Sequence, residues 1–331
     1  MARARHSGRK LSLEDELARL SDVAADPESP EARARLVEAL GSARSFVVAR
    51  AATIIKDARI DGLAGELTAA FARMLEEPVK RDPGCHAKTA LLDALDLTES
   101  MDEEPFLRGA RHVQTEPGWP RASDAAAPVR ARAVMALGRI GTTDMLVLAG
   151  EMLADPEPVV RHAVVAALAH HGARAGAGLA LHKLRLGDEE PLVVGECMKA
   201  LLALAPDYGI RELRPLVLGV EPGARELAAL ALGESRREDA LALLCEALEL
   251  TTVAHERKIV FTALALHRSE RALDVLLEVV RAGRRADANA ALRALAIRRF
   301  DPGVAQRVRA AVAENSAAPE LRESLEQMLA E

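Results

Sequence analysis

Apolar residues recur along this chain at helical spacing. Val160, Val164, Ala167 and Leu168 fall at i, i+4, i+7 and i+8, with His171 one turn further on, so they share one face of a helix. Leu241, Leu244, Cys245 and Leu248 fall at i, i+3, i+4 and i+7, and Leu273, Leu276, Leu277 and Val280 repeat that pattern position for position. A short phrase precedes many of these faces. It reads Pro128-Val129-Arg130 leading to Ala136-Leu137, then Pro158-Val159-Val160-Arg161 leading to Ala167-Leu168. It returns at Pro191 leading to Leu201-Leu202, and at Pro222 leading to Ala231-Leu232, so the marker prolines are nearly evenly spaced. A helical phrase with a period near 30 predicts stacked helix pairs, in which each pair keeps its apolar faces dry only against its neighbours.

The punctuation agrees with this. Pro158 suits the first turn of a helix, where its missing N–H would have no partner. Glu157 sets a negative charge at the positive end of the helix dipole. Gly172 ends that helix, and Gly141 and Gly233 are expected to end theirs in the same way. Outside the stretch 128–233, helices are predicted over 11–25, 31–40, 46–58, 62–76, 83–97, 238–250, 255–267, 272–282, 286–298, 304–313 and 320–329. The last one carries Arg322, Glu323, Glu326 and Gln327 on its open side, as a terminal cap requires. One register is ambiguous. Matching Arg257 with Arg225 gives a slightly shorter interval than matching 263–266 with 229–232.

The period breaks once. Lys88 and Arg130 hold equivalent places but lie further apart than one period allows. The extra chain lies within 98–127. It holds a short predicted helix, 105–113, and then a non-helical loop, 114–120, where two prolines and a glycine surround the only tryptophan, Trp119. Long loops in a compact array are often where function sits. Phe106, Arg108, Arg111, His112, Glu116 and Trp119 bring aromatics, cations and a carboxylate together there, and Trp and Arg are the types most enriched at binding hot spots. They are the candidate protein-binding residues. The alternative is that Trp119 merely fills the gap where the spacing changes.

Charge has its own regularity. Asp82 and Lys88, Asp124 and Arg130, and Asp155 and Arg161 are each six apart, the acid just ahead of a helix and the base one turn inside it. In these residues, and in the repeated Pro–Val–Arg phrase, the chain resembles the HEAT-repeat family, and more narrowly the short bilin-lyase-type repeats. The pattern departs at Gly195, where the next base is due, and at Gly219, where the acid before Arg225 is due. The resemblance implies an all-α fold, a right-handed α-solenoid of stacked antiparallel helix pairs, about eight or nine in number. It also implies that the six charged residues form a structural ladder of hydrogen bonds between neighbouring repeats, against the alternative of an anion-binding stripe. For function it implies a protein–protein scaffold.

Composition narrows the remaining choices. Half the 331 residues are apolar but only 2% are aromatic, so alanine and leucine must build the core. Net charge is −6, which argues against binding a polyanion by bulk charge. Cys85, Cys197 and Cys245 are odd in number and far apart, which suits buried thiols in a reducing compartment. No run of 18 apolar residues suggests a membrane span, and the cytoplasm is the expected location. Residues 1–10 read as a disordered basic arm, with 11–331 as one continuous array.

No chemical centre emerges. Cys85, His86, His112 and Asp82 lack the spacing of a zinc site. His162, His170, His171 and His182 cluster, but the resemblance to HEAT-type deoxyhypusine hydroxylase would require repeated His-Glu pairs, and only His255-Glu256 is present. Gly233-Glu234-Ser235 is not a nucleophile elbow, and 172–178 lacks the Lys-Ser/Thr of a phosphate loop. No catalytic, metal-binding or cofactor-binding residue is assigned. The expected function is a non-enzymatic scaffold or adaptor binding another protein. One alternative is a bilin-lyase-like enzyme or chaperone-like subunit holding a cofactor or client in its groove. The other is a nucleic-acid-binding solenoid using the basic arm with Arg50, Lys88, Arg130 and Arg161.

Overall fold

The computed structural model describes residues 12–330 other than 28, 99 and 120; the basic arm at 1–10 lies outside the described residues. The chain is an all-α repeat protein, as its periodicity predicts. It divides into two compact units, Met1–His171 and Gly172–Glu331, described in turn.

The first unit contains α1 (Leu13–Ala25), α2 (Pro30–Leu40), α3 (Ser45–Asp57), α4 (Ala64–Met74), the single turn α5 (Pro78–Arg81) and α6 (His86–Leu97). It continues with α7 (Glu104–Ala110), the strands β1 (Thr115–Glu116) and β2 (Ser123–Asp124), α8 (Ala127–Ile140), α9 (Met145–Met152) and α10 (Pro158–His171). Four pairs follow α1: α2 with α3, α4 with α6, α7 with α8, and α9 with α10. The second helices of the pairs stack on one another, α3 on α6, α6 on α8 and α8 on α10. The second unit contains α11 (Gly176–Leu186), α12 (Pro191–Leu204), α13 (Pro206–Val217), α14 (Pro222–Ser235), α15 (Glu238–Leu250), α16 (Ala254–His267), α17 (Glu270–Ala282), α18 (Arg285–Leu295), α19 (Val304–Glu314) and α20 (Ala318–Ala330). These make five pairs, with α12, α14, α16, α18 and α20 packed in series.

Local signals start these helices. The Ser12 hydroxyl accepts from the Asp15 N–H at 3.1 Å while the Asp15 carboxylate accepts from the Ser12 N–H, a reciprocal box that satisfies two end donors. Pro30, Pro191 and Pro222 sit in first turns, behind Ser29, Glu190 and Glu221, whose side chains accept from helix N–H groups. The core is aliphatic. The series Leu241, Leu244, Leu248 and Leu273, Leu276, Leu277, Val280 is buried throughout, and burying one leucine is worth about 1.5–3 kcal/mol. Helix α14 begins at Pro222 and α16 at Ala254, the same interval as from Arg225 to Arg257, which settles the ambiguous register in favour of those two arginines.

Gly233 does not end its helix. Helix α14 runs on to Ser235, and Arg236 takes the left-handed turn at φ 54°. Gly233 instead lies against α16, where an added Cβ would strike the carbonyl of Ala263. Gly138 meets α10 in the same way, with the Ala167 oxygen 2.6 Å from the place a Cβ would take. Gly141 and Gly172 do adopt positive φ, 80° and 75°. The segment 114–120 also differs from the plain loop expected. Thr115 pairs with Asp124 and Glu116 with Ser123, so the inserted chain is a small hairpin ahead of α8.

Candidate functional site

The insertion stands on an acid held at the start of α6. Asp82 is fully buried, and its carboxylate accepts from the N–H groups of Ala87 at 3.0 Å and Lys88 at 2.9 Å. The Lys88 ammonium, equally buried, lies 3.0 Å from the same carboxylate. Between them the chain turns sharply, with Gly84 and Cys85 at positive φ. The hairpin closes over this turn. Gln114, 2% exposed, donates through Nε2 to the Asp82 carbonyl at 2.9 Å and to Glu116 at 2.5 Å. Glu116 also accepts from the Gly84 N–H at 2.8 Å. These bonds from Gln114 and Gly84 hold the Glu116 carboxyl below its ordinary range.

On the far strand, Asp124 accepts from the N–H groups of Gln114 at 3.0 Å and Ala126 at 2.9 Å. Burial opposes its charge, but these bonds and Arg130 outweigh burial and keep its pKa low. Arg130, only 3% exposed, donates through Nη1 to Asp124 at 2.6 Å and to the His112 carbonyl at 2.9 Å. Its Nε and Nη2 form a fork onto Asp155, at 2.8 and 3.0 Å. One guanidinium thus joins the acid before its own helix, the acid of the next repeat and the root of the hairpin. Arg161 donates to the Asp155 and Pro156 carbonyls. His112 is pushed down by burial, against the 3.2 Å hydrogen bond with Gln114.

The six candidate binding residues separate into four groups. Phe106 is fully buried, and Gly109 beside it approaches Leu92, Ala133 and Phe71. Phe106 therefore belongs to the packing of α7 and offers no surface to a partner. Arg108, Arg111 and His112 line an open cleft of 440 Å³ with Leu75 and Leu107. Arg108 lies 3.7 Å from Glu104 and Arg111 lies 3.9 Å from Glu151. Glu116 braces the hairpin. Trp119, at its tip, is 96% exposed, so it fills no gap between repeats. Sequence reasoning missed Gln114, whose amide ties the hairpin down. It also missed Phe46, 54% exposed and stacked on His86 with ring centroids 5.8 Å apart.

The second unit carries related bridges that the six-residue rule overlooked. Arg225 donates to the Gly219 carbonyl and pairs with Glu256 on the following pair of helices. Arg257 donates to the Leu248 and Thr251 carbonyls, both at 3.0 Å, and pairs with Asp287 at 3.2 Å. Among the described residues, no group of three or more His, Cys, Asp or Glu is arranged to hold a metal, and no helix is long and apolar enough to cross a membrane. The thiols of Cys85 and Cys197 are buried, which pushes each up to about 12.

Residues 120–201 match the family model described as HEAT repeats, a class of repeat that generally mediates protein interactions. That match spans the stretch where the Pro–Val–Arg phrase is clearest. Compared with curated proteins, the sequence finds no match.

Proposed function

We propose that this protein is a non-enzymatic protein-binding scaffold, and that the hairpin ahead of α8 is a docking element of its N-terminal unit. The observation that carries the reading is Trp119, 96% exposed at the tip of a hairpin whose base is pinned by Gln114, Glu116 and Asp124. A large indole held in water by a braced support loses little freedom when a partner covers it, and tryptophan is prominent among residues that dominate interfaces. The match to HEAT repeats supports the same reading. The nucleic-acid reading loses two of its bases, because Lys88 and Arg130 are buried against acids and unavailable to phosphate. Three unbridged cysteines suit a reducing compartment, and the reading takes the cytoplasm as its setting.

The test is Trp119→Ala. A partner is first captured with the wild-type protein, and its dissociation constant is measured. The variant should keep its helicity and its stability within about 0.5 kcal/mol, while affinity falls by about tenfold or more. Loss of helicity would make Trp119 a structural residue. Unchanged affinity would remove the hairpin from the interface.

A further inference from the structure

In the second unit, α16 and α18 flank an open cleft of 510 Å³. Lys258 on α16 and Arg293 on α18 both line it and are exposed. Neither side chain makes an ion pair or hydrogen bond among the described residues. Some cations on the corresponding helices elsewhere are matched, Arg132 to Asp93 at 2.6 Å, Arg139 to Asp96 at 2.6 Å and Lys199 to Glu196 at 2.5 Å, whereas Lys258 and Arg293 converge unmatched on one cleft. Asp287 at the edge of the cleft does not serve them, because it is engaged by Arg257. Asn289 also lines the cleft, and its Oδ1 is buried with no hydrogen-bond partner. Ala290 and Ile297, half-buried, supply apolar lining.

We infer that this cleft is a docking groove for an acidic, partly apolar peptide segment of a partner protein. Two unmatched cations in a chain of net charge −6 ask for carboxylates. The unmet group of Asn289 is an acceptor, and a ligand donor that reaches it would satisfy it. A free carboxylate brings none, and neither a carboxylate nor a phosphate anion would cover the alanine-rich lining. A peptide answers all three requirements: side-chain carboxylates for Lys258 and Arg293, a backbone N–H for Asn289, and small apolar side chains for Ala290 and Ile297. The assignment is independent of the Trp119 hairpin, which lies in the other unit.

Selection from a random library of short peptides tests it. The wild-type protein should enrich sequences rich in Asp and Glu interspersed with apolar residues. The double variant Lys258→Glu, Arg293→Glu should lose that enrichment, and the selected peptides should bind it about tenfold or more weakly. Asn289→Leu, which leaves the charges in place, should also weaken binding. Helicity should persist in the double variant, because both replaced residues are exposed. Trp119→Ala should bind the same peptides as the wild type does, which separates failure of this groove from failure of the hairpin. The inference is overturned if no acidic sequences are enriched, or if the double variant keeps them. Equally tight binding of a short single-stranded oligonucleotide would also overturn it, by making the cleft a general polyanion site.

Discussion

The two units solve the same stacking problem with different partners for the same arginine. In the first, Arg130 lies between two carboxylates, Asp124 and Asp155, which are 14% and 10% exposed. In the second, Arg225 and Arg257 each take backbone carbonyls on one side and a single carboxylate on the other, Glu256 or Asp287, each 24% exposed. The arginine is the constant. The acid of its own repeat is exchangeable for a carbonyl, because both are acceptors aimed at the same guanidinium. The doubly acidic version occurs where the hairpin must also be anchored, through the His112 carbonyl on Nη1 and the Asp124 carboxylate on the hairpin's backbone.

The largest effect expected from breaking this contrast is at Arg130. Arg130→Met strands two mostly buried carboxylates and should destabilise the first unit by about 3–5 kcal/mol in urea unfolding followed by helicity. Arg225→Met or Arg257→Met strands one partly exposed acid and should have a smaller effect, about 1–3 kcal/mol. Equal losses at Arg130 and Arg225 would mean that the second carboxylate adds nothing.

Next come the glycines at which both units bring helices closest. Gly233→Ala and Gly138→Ala each force a methyl into a backbone carbonyl and should cost about 1–3 kcal/mol, the former more because its neighbour is nearer. A neutral Gly233→Ala would mean that α16 moves aside to admit the methyl, and that the close approach is not needed for stability.

The smallest effect is on pH. Asp124, Glu116 and His112 all have folded pKa values below their ordinary ones. The unfolded chain therefore binds protons more readily at each, and the stability they provide is fully present only above the unfolded values. For His112 that contribution starts to fall below about pH 6.5, and for the carboxylates it falls as pH drops through their lowered values. Measured against the intrinsic exchange rate at each pH, hydrogen exchange at the amides of Gly84, Gln114 and Ala126, which bond these carboxylates, should accelerate in acid. The bridges at Arg225 and Arg257 rest on none of these three groups. Matching acceleration around them would break the contrast.

Much of the fold was legible because its signals are local. Prolines in first turns and leucines at helical spacing state where helices begin and which face is buried, and they depend on no distant residue. Gly233 was misread because a glycine after an apolar run looks the same whether it caps a helix or admits a neighbour. Only the position of Ala263, a full repeat further along, distinguishes the two. The bridges of the second unit were missed because a carbonyl has no letter in a sequence, and because Glu256 and Asp287 follow their arginines instead of preceding them. Phe106 was grouped with the loop although Phe106, Gly109 and Ala110 repeat at helical spacing and are buried together. The cleft between α16 and α18 left no trace in the sequence, since what marks Lys258 and Arg293 is the lack of a neighbour.

The hairpin also governs what light can report about this molecule. Its tip carries the chain's one indole, already bathed in solvent while the helices are intact. Intrinsic emission therefore starts from the wavelength of a denatured polypeptide and is nearly blind to melting of the array. The same placement makes it a gauge of occupancy, because whatever shields the ring shifts its spectrum to the blue.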